Sequence, residues 1–222
     1  MLATAKLLGW IFEKLGQPIV LGQILGGLII GVFTESNEII REFSNLGALI
    51  LLFLAGIESD LQEFKRVGKP SIFVAGVGVA SILGAYMVGL IIGQTSYRKQ
   101  VEDHVSILGY SLFIPLFFVE VGMRIELNYI LHASFFAVLY TAMAIVSKVA
   151  GCGMGAYLAG FDLKASLRIG IGMIPRLGVE LAMLTIALSS GVIGPEALTI
   201  AIFMVFVTTI STPPLLKWAY KL

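Results

Sequence analysis

The sequence predicts an all-α integral membrane protein of about eight spanning or partly spanning helices. Two observations carry that prediction. Hydrophobic residues make up 58% of the chain and charged ones 13%, with a mean hydropathy of +0.95, far from the composition of a soluble domain of 222 residues. The apolar residues also gather in runs long enough to cross a hydrocarbon core about 30 Å thick as helix.

In chain order these runs are Met1–Leu15, Pro18–Phe33, Asn45–Ile57, Pro70–Gly93, Ser106–Gly122, Ile130–Gly160, Ile169–Ser190 and Leu198–Leu216. The first is a short span or an interfacial helix rather than a secretory signal, because Lys6, Glu13 and Lys14 leave only Leu7–Phe12 apolar. The second and third are also short. Polar connectors such as TESNEIIREFS, ESDLQEFKRVGK and QTSYRKQVEDH separate the runs at lengths usual for membrane loops. Gly22 and Gly26, Gly27 and Gly31, and Gly151 and Gly155 have the spacing that lets helices approach closely.

Several function classes lose support at this level. A net charge of +1 gives no basic excess for nucleic acid. Cys152 stands alone, so no internal disulfide forms, and neither His104 nor His132 has metal-ligand spacing around it. No nucleophile with its base, phosphate loop or dinucleotide fingerprint is present, so the chain is read as no enzyme and as needing no cofactor.

Loop charges test the topology, because basic loops favour the cytoplasm. In the N-terminal part, Lys14, Lys65, Arg66 and Lys69 share a side against Arg41. In the C-terminal part, Arg98, Lys99, Lys164, Arg168, Lys217 and Lys221 share a side against Arg124, which puts the C-terminus in the cytoplasm. Both sides cannot be inside if Pro70–Gly93 crosses once. Either that run is a hairpin or re-entrant element, which Gly76, Gly78, Gly84 and Gly89 would permit, or an odd number of spans is absent near Gly93. The chain accordingly divides into residues 1–93 and residues 94–222, each with four runs.

Charges inside apolar runs cost about 2.5–3.5 kcal/mol each at the bilayer centre and therefore point to function. Glu120, Lys148, Arg176 and Glu180 qualify. Glu120, two residues from Gly122, is expected at the membrane interface. Lys148 either snorkels to an interface or is a buried amine that exchanges its proton against a cation. Arg176 and Glu180 fall four apart, on one face of a continuous helix, where they would neutralise each other. Pro175 argues for a break, since it lacks an N–H and crowds the carbonyl of Ile171, with Gly172 and Gly178 close by. A broken helix offers a half-helix N-terminus and free carbonyls, the usual wall of a transporter's ion site.

The stretches GQPIVLGQILGGLIIG, LGALILLFLAGIESDLQEFKRVGK, SLFIPLFFVEVGM and GIGMIPRLGVELAMLTIA resemble the sodium/hydrogen exchanger superfamily, in its prokaryotic monovalent cation/proton antiporter branch. The resemblance implies a fold of about thirteen spans built from inverted repeats, with two crossing broken helices. It further implies exchange of sodium or potassium for protons by elevator-like movement, in a prokaryotic plasma membrane and often as a homodimer. By that resemblance Lys148 matches the lysine before the second broken helix, and Pro175, Arg176 and Glu180 match that helix. Family members carry further spans with the first broken helix and an Asp-Asp or Asn-Asp pair. This chain lacks them, about five spans in all, at the place where the loop charges demand an odd number. Two functions are therefore expected: a cation/proton antiporter, or a shortened membrane protein that does not transport and serves as a scaffold or subunit. A passive channel would need more polar lining than these runs supply.

Overall fold

The computed structural model describes residues 1–59, 80–126, 129, 134–175 and 177–221. Every regular element among them is helical: α1 (Leu2–Lys14), α2 (Ile19–Phe33), α3 (Glu38–Glu58), α4 (Ala80–Gly93), α5 (Arg98–Leu108), a π turn (Gly109–Phe113), α6 (Ile114–Met123), α7 (Ser134–Leu158), α8 (Leu163–Gly172), α9 (Gly178–Ser189) and α10 (Pro195–Lys221). Four stretches are long and apolar enough to cross a membrane: Glu38–Glu58, Arg98–Met123, Phe135–Leu158 and Pro195–Lys221. Ile19–Phe33, Gly84–Gly93 and Gly178–Ser189 are shorter apolar helices. The protein is thus an all-α, multi-spanning membrane fold with clear and partial spans.

The helices outrun the apolar stretches that predict them. α3 starts at Glu38, through residues expected to be loop, so the third span is 21 residues rather than short. Its first turns carry exposed Glu38, Arg41 and Glu42, and the Arg41 Nε donates to Ser36 Oγ at 2.8 Å. Likewise the connector QTSYRKQVEDH is helical from Arg98 onward. Hydropathy marks only the part of a helix that lipid covers, whereas the backbone hydrogen bonds continue into the interface.

Within Arg98–Met123 the π turn ends just before Pro115. The proline cannot donate to the carbonyl four residues back and its ring crowds it; the wider turn relieves that clash without ending the helix. α4 passes through Gly84 and Gly89 without a turn, so neither glycine makes a hairpin. Gly76 and Gly78 lie outside the described residues.

The core is built where α2, α3, α6, α9 and α10 meet, around Ile24, Leu52, Phe117, Phe118, Leu181 and Ile202. Glycines let α2 and α6 cross closely within it. A Cβ on Gly27 of α2 would collide with the Val119 carbonyl of α6, and one on Gly122 of α6 with the Ile24 carbonyl of α2. Gly31 continues the seam against Met123. Of the glycine pairs read from sequence, those on α2 are therefore spent inside the chain, while among the described residues no neighbouring element lies within 4 Å of a Cβ at Gly151 or Gly155. Replacing Gly122 by valine is expected to destabilise the fold by about 1–3 kcal/mol, since backbone rather than a flexible side chain must move. Thermal unfolding in detergent would read this, and an unchanged midpoint would show that the seam does not exist.

A second, smaller cluster of Ile171, Ile174 and Ala219 joins α8 to α10, with Ile145 and Val149 of α7 against it. Arg168 of α8 ties the same place: its Nε donates to the Ala219 carbonyl at 3.2 Å and its guanidinium lies 4.6 Å from the Tyr220 ring. That carbonyl belongs to the last turn of α10, where no helical donor remains. Among the described residues α7 is the least covered of the four long spans, with 11% of its apolar window buried against 50% in α10.

Candidate functional site

The local chemistry around Pro175 separates α8 from α9. In a continuous helix the Ile171 carbonyl would accept from the N–H of residue 175, which a proline lacks. Instead Ile174 N–H donates to it at 3.1 Å, closing a tighter last turn, and Met173 caps α8 with φ −91° and ψ 3°. The chain resumes helix at Gly178, where Leu177 has φ −132° and ψ −135° and its carbonyl accepts from Glu180 N–H at 3.0 Å. Glu180 stands in the first turn of α9, so its carboxylate meets the partial positive charge of the free N–H groups there.

Each side of this gap packs on a different part of the fold. α8 lies along α7 and α10, with Gly170 close to the Val149 carbonyl, where an added Cβ would stand 2.6 Å away. α9 lies on α3 and the core, with Gly178 beside Leu51 and Phe118 and with Leu181 and Ala182 buried. Pro175 and Glu180 are both part-buried and Gly172 is exposed. Arg176 lies outside the described residues.

Replacing Pro175 by alanine restores a donor and removes a helix cost of about 3 kcal/mol. Burial of Leu181 with Ala182 in the core stabilises the present arrangement by a similar or larger amount, about 2–3 kcal/mol for the leucine alone. The gap should therefore survive in Pro175→Ala, with its edges shortened. Helix content by circular dichroism should rise by no more than a turn; fusion into a single long helix would contradict the packing argument.

Lys148 sits in the middle of α7, next to Val149 of the smaller cluster, and is half-buried. No hydrogen bond or ion pair holds its amine among the described residues.

Glu120 is covered by neighbouring helices. Its side chain is wholly buried in α6, one turn before the helix end. Its Oε1 pairs with Nε of Arg124, one helical turn on, and its Oε2 accepts from Ser44 Oγ of α3 at 3.3 Å. Arg124 keeps 22% of its side-chain surface exposed at the end of α6. A carboxylate one turn before the helix end can be buried because α2 and α3 cover that end, through Gly31 and Ser44. The i,i+4 spacing of Glu120 and Arg124 was a usable signal for this pair. Nothing in the sequence points to Ser44, 76 residues away.

The structure therefore brings Pro175, Gly178 and Glu180 to one gap beside the core. It places Glu120 with Arg124 and Ser44 at another position on the same core helices, about two turns along α3 from Leu51. Lys148 lies on α7, and no ion pair joins it to Glu120.

The sequence matches the family described as sodium/hydrogen exchanger, transmembrane, over residues 2–81 and again over residues 72–218. It is 40% identical over 144 residues to the Na(+)/H(+)-K(+) antiporter GerN of Bacillus cereus, covering 65% of this chain and 37% of that protein. It is 32% identical over 145 residues to the Na(+)/H(+) antiporter of Enterococcus hirae, covering 65% and 38%. The chain thus spans well under half the length of these two relatives. With the probable Na(+)/H(+) antiporter GerT of Bacillus cereus the identity is 25% over 362 positions, covering 98% of this chain and 96% of that one. An alignment longer than the 222-residue chain means that GerT has residues with no counterpart here. The two family matches meet within residues 72–81, ahead of the Gly93–Gln94 position that the loop charges suggest. Secondary transport, not covalent chemistry, is the business of such proteins. This chain belongs to the sodium/hydrogen exchanger family, with fewer membrane spans than its relatives carry.

Proposed function

We propose that the chain is a cation/proton antiporter that exchanges sodium or potassium for protons across a prokaryotic plasma membrane, with its C-terminus in the cytoplasm. The observation that carries this reading is the gap from Met173 to Leu177. In a member of this family, it leaves a half-helix start with a carboxylate in its first turn, packed on the core. We read α8 and α9 as the two halves of one broken transmembrane helix within an inverted-repeat fold. Gly172, Pro175 and Gly178 make the break, Arg176 and Glu180 brace it, and Lys148 carries the proton that cation entry displaces. In this reading the chain divides into four spans in residues 1–93 and four in residues 94–222, and the working unit is a homodimer.

The test is dissipation of an imposed pH gradient in proteoliposomes when sodium or potassium is added. A folded, reconstituted chain that gives no response rejects the reading.

The unmatched positions against GerT favour a second reading: a shortened, non-transporting protein that serves as scaffold or subunit. The aspartate-bearing segment expected to face the break is absent from the sequence, which removes the carboxylates Lys148 would answer. Cation-dependent proton movement by the purified chain alone would reject this second reading.

A further inference from the structure

We propose that Glu120 and Ser44 form a binding site for a monovalent cation, and that Arg124 fills this site with its own guanidinium when no ion is bound. The proposal goes beyond the antiport reading, because it uses neither the α8–α9 gap nor Lys148.

Glu120 is fully buried, so water cannot meet its charge and a cation must. Arg124 supplies that cation from the residue that caps α6, and its side chain is partly exposed, so it can withdraw to the aqueous edge. Withdrawal leaves both carboxylate oxygens and the Ser44 hydroxyl converging from two helices. All three are hard oxygen donors, the kind that alkali and alkaline-earth ions take.

The spacing also fits. Ser44 Oγ and Glu120 Oε2 are 3.3 Å apart. For an ion of calcium's size, which is also sodium's, oxygen ligands lie at about 2.4 Å, and two ligands at right angles are then about 3.4 Å apart. The donors are held at that spacing by backbone: Gly47, one turn from Ser44 on α3, lets that helix close onto Phe113 and Phe117, one turn before Glu120. One carboxylate gives one negative charge, so a monovalent ion leaves the buried site neutral, as the guanidinium does. A divalent ion would leave a net positive charge there.

The experiment is thermal unfolding of the detergent-solubilised chain at constant ionic strength, with choline replaced stepwise by sodium, by potassium and, as control, by magnesium. An ion that binds only the folded state raises the midpoint in proportion to its occupancy. Sodium or potassium should stabilise the wild type, and Arg124→Gln should reach half its effect at a concentration lower by about tenfold or more, because the tethered competitor is gone. Glu120→Gln and the double variant Glu120→Gln/Arg124→Gln should lose the dependence. Indifference of Arg124→Gln to both ions overturns the proposal, as does a dependence that survives in the double variant, or an equal response to magnesium. Should Arg124→Gln not fold, the wild type against Glu120→Gln gives the same decision. Failure of antiport in proteoliposomes does not bear on this result, and absence of an ion effect here leaves the antiport reading standing.

Discussion

Replacing Arg124 by glutamine should destabilise the folded chain, in choline without alkali ions, by about 3 kcal/mol. Removing one member of a buried ion pair costs about 3–5 kcal/mol, because the other charge is left without compensation. The lower end applies, since Arg124 is itself partly exposed and loses less on its side. The companion Glu120→Gln/Arg124→Gln should recover most of that loss. It leaves two neutral amides that still reach Ser44 and each other, and a buried pair contributes little over a well-packed neutral replacement. Unfolding midpoints of the single and double variants decide this. If the double variant is as unstable as Arg124→Gln, the cost lies in lost packing of the arginine stem and not in the stranded carboxylate.

Replacing Lys148 by leucine should move two readouts in opposite directions. An amine in the middle of a 25-residue apolar helix is costly in lipid, by about 2.5–3.5 kcal/mol at full depth. Lys148 is half-buried on α7 and able to reach toward an edge, so leucine should stabilise by a smaller amount, about 1 kcal/mol. Under the antiport reading the same change should lower cation-driven proton flux by about tenfold or more, a coupling of ordinary size. Normal flux from the leucine variant would remove Lys148 from the coupling machinery. If the chain is instead a silent subunit, wild type and variant are both without flux and only the stability gain remains.

That α8 ends at Gly172, ahead of Pro175, follows from a local cause: a missing N–H at one residue and glycines on both sides act within a single turn. The same holds for the apolar runs, whose length against the bilayer is a property of the chain itself. Helix ends were misplaced, at Glu38 and Arg98, because polar residues in the interface carry helix as well as loop. The burial of Glu120 was not legible for a different reason. Its place near the end of an apolar run says nothing of what covers it, which depends on α2 and α3, brought in from far along the chain.

Membrane class and the family motifs were thus determined by sequence alone, since each rests on composition or on neighbours a few residues apart. Only the tertiary structure decided that Gly27 and Gly122 let α2 and α6 cross closely, that Glu120 is sealed from water, and that Ser44 is its partner. Those facts are contacts between helices, and a contact across 76 residues leaves no pattern in either stretch that makes it.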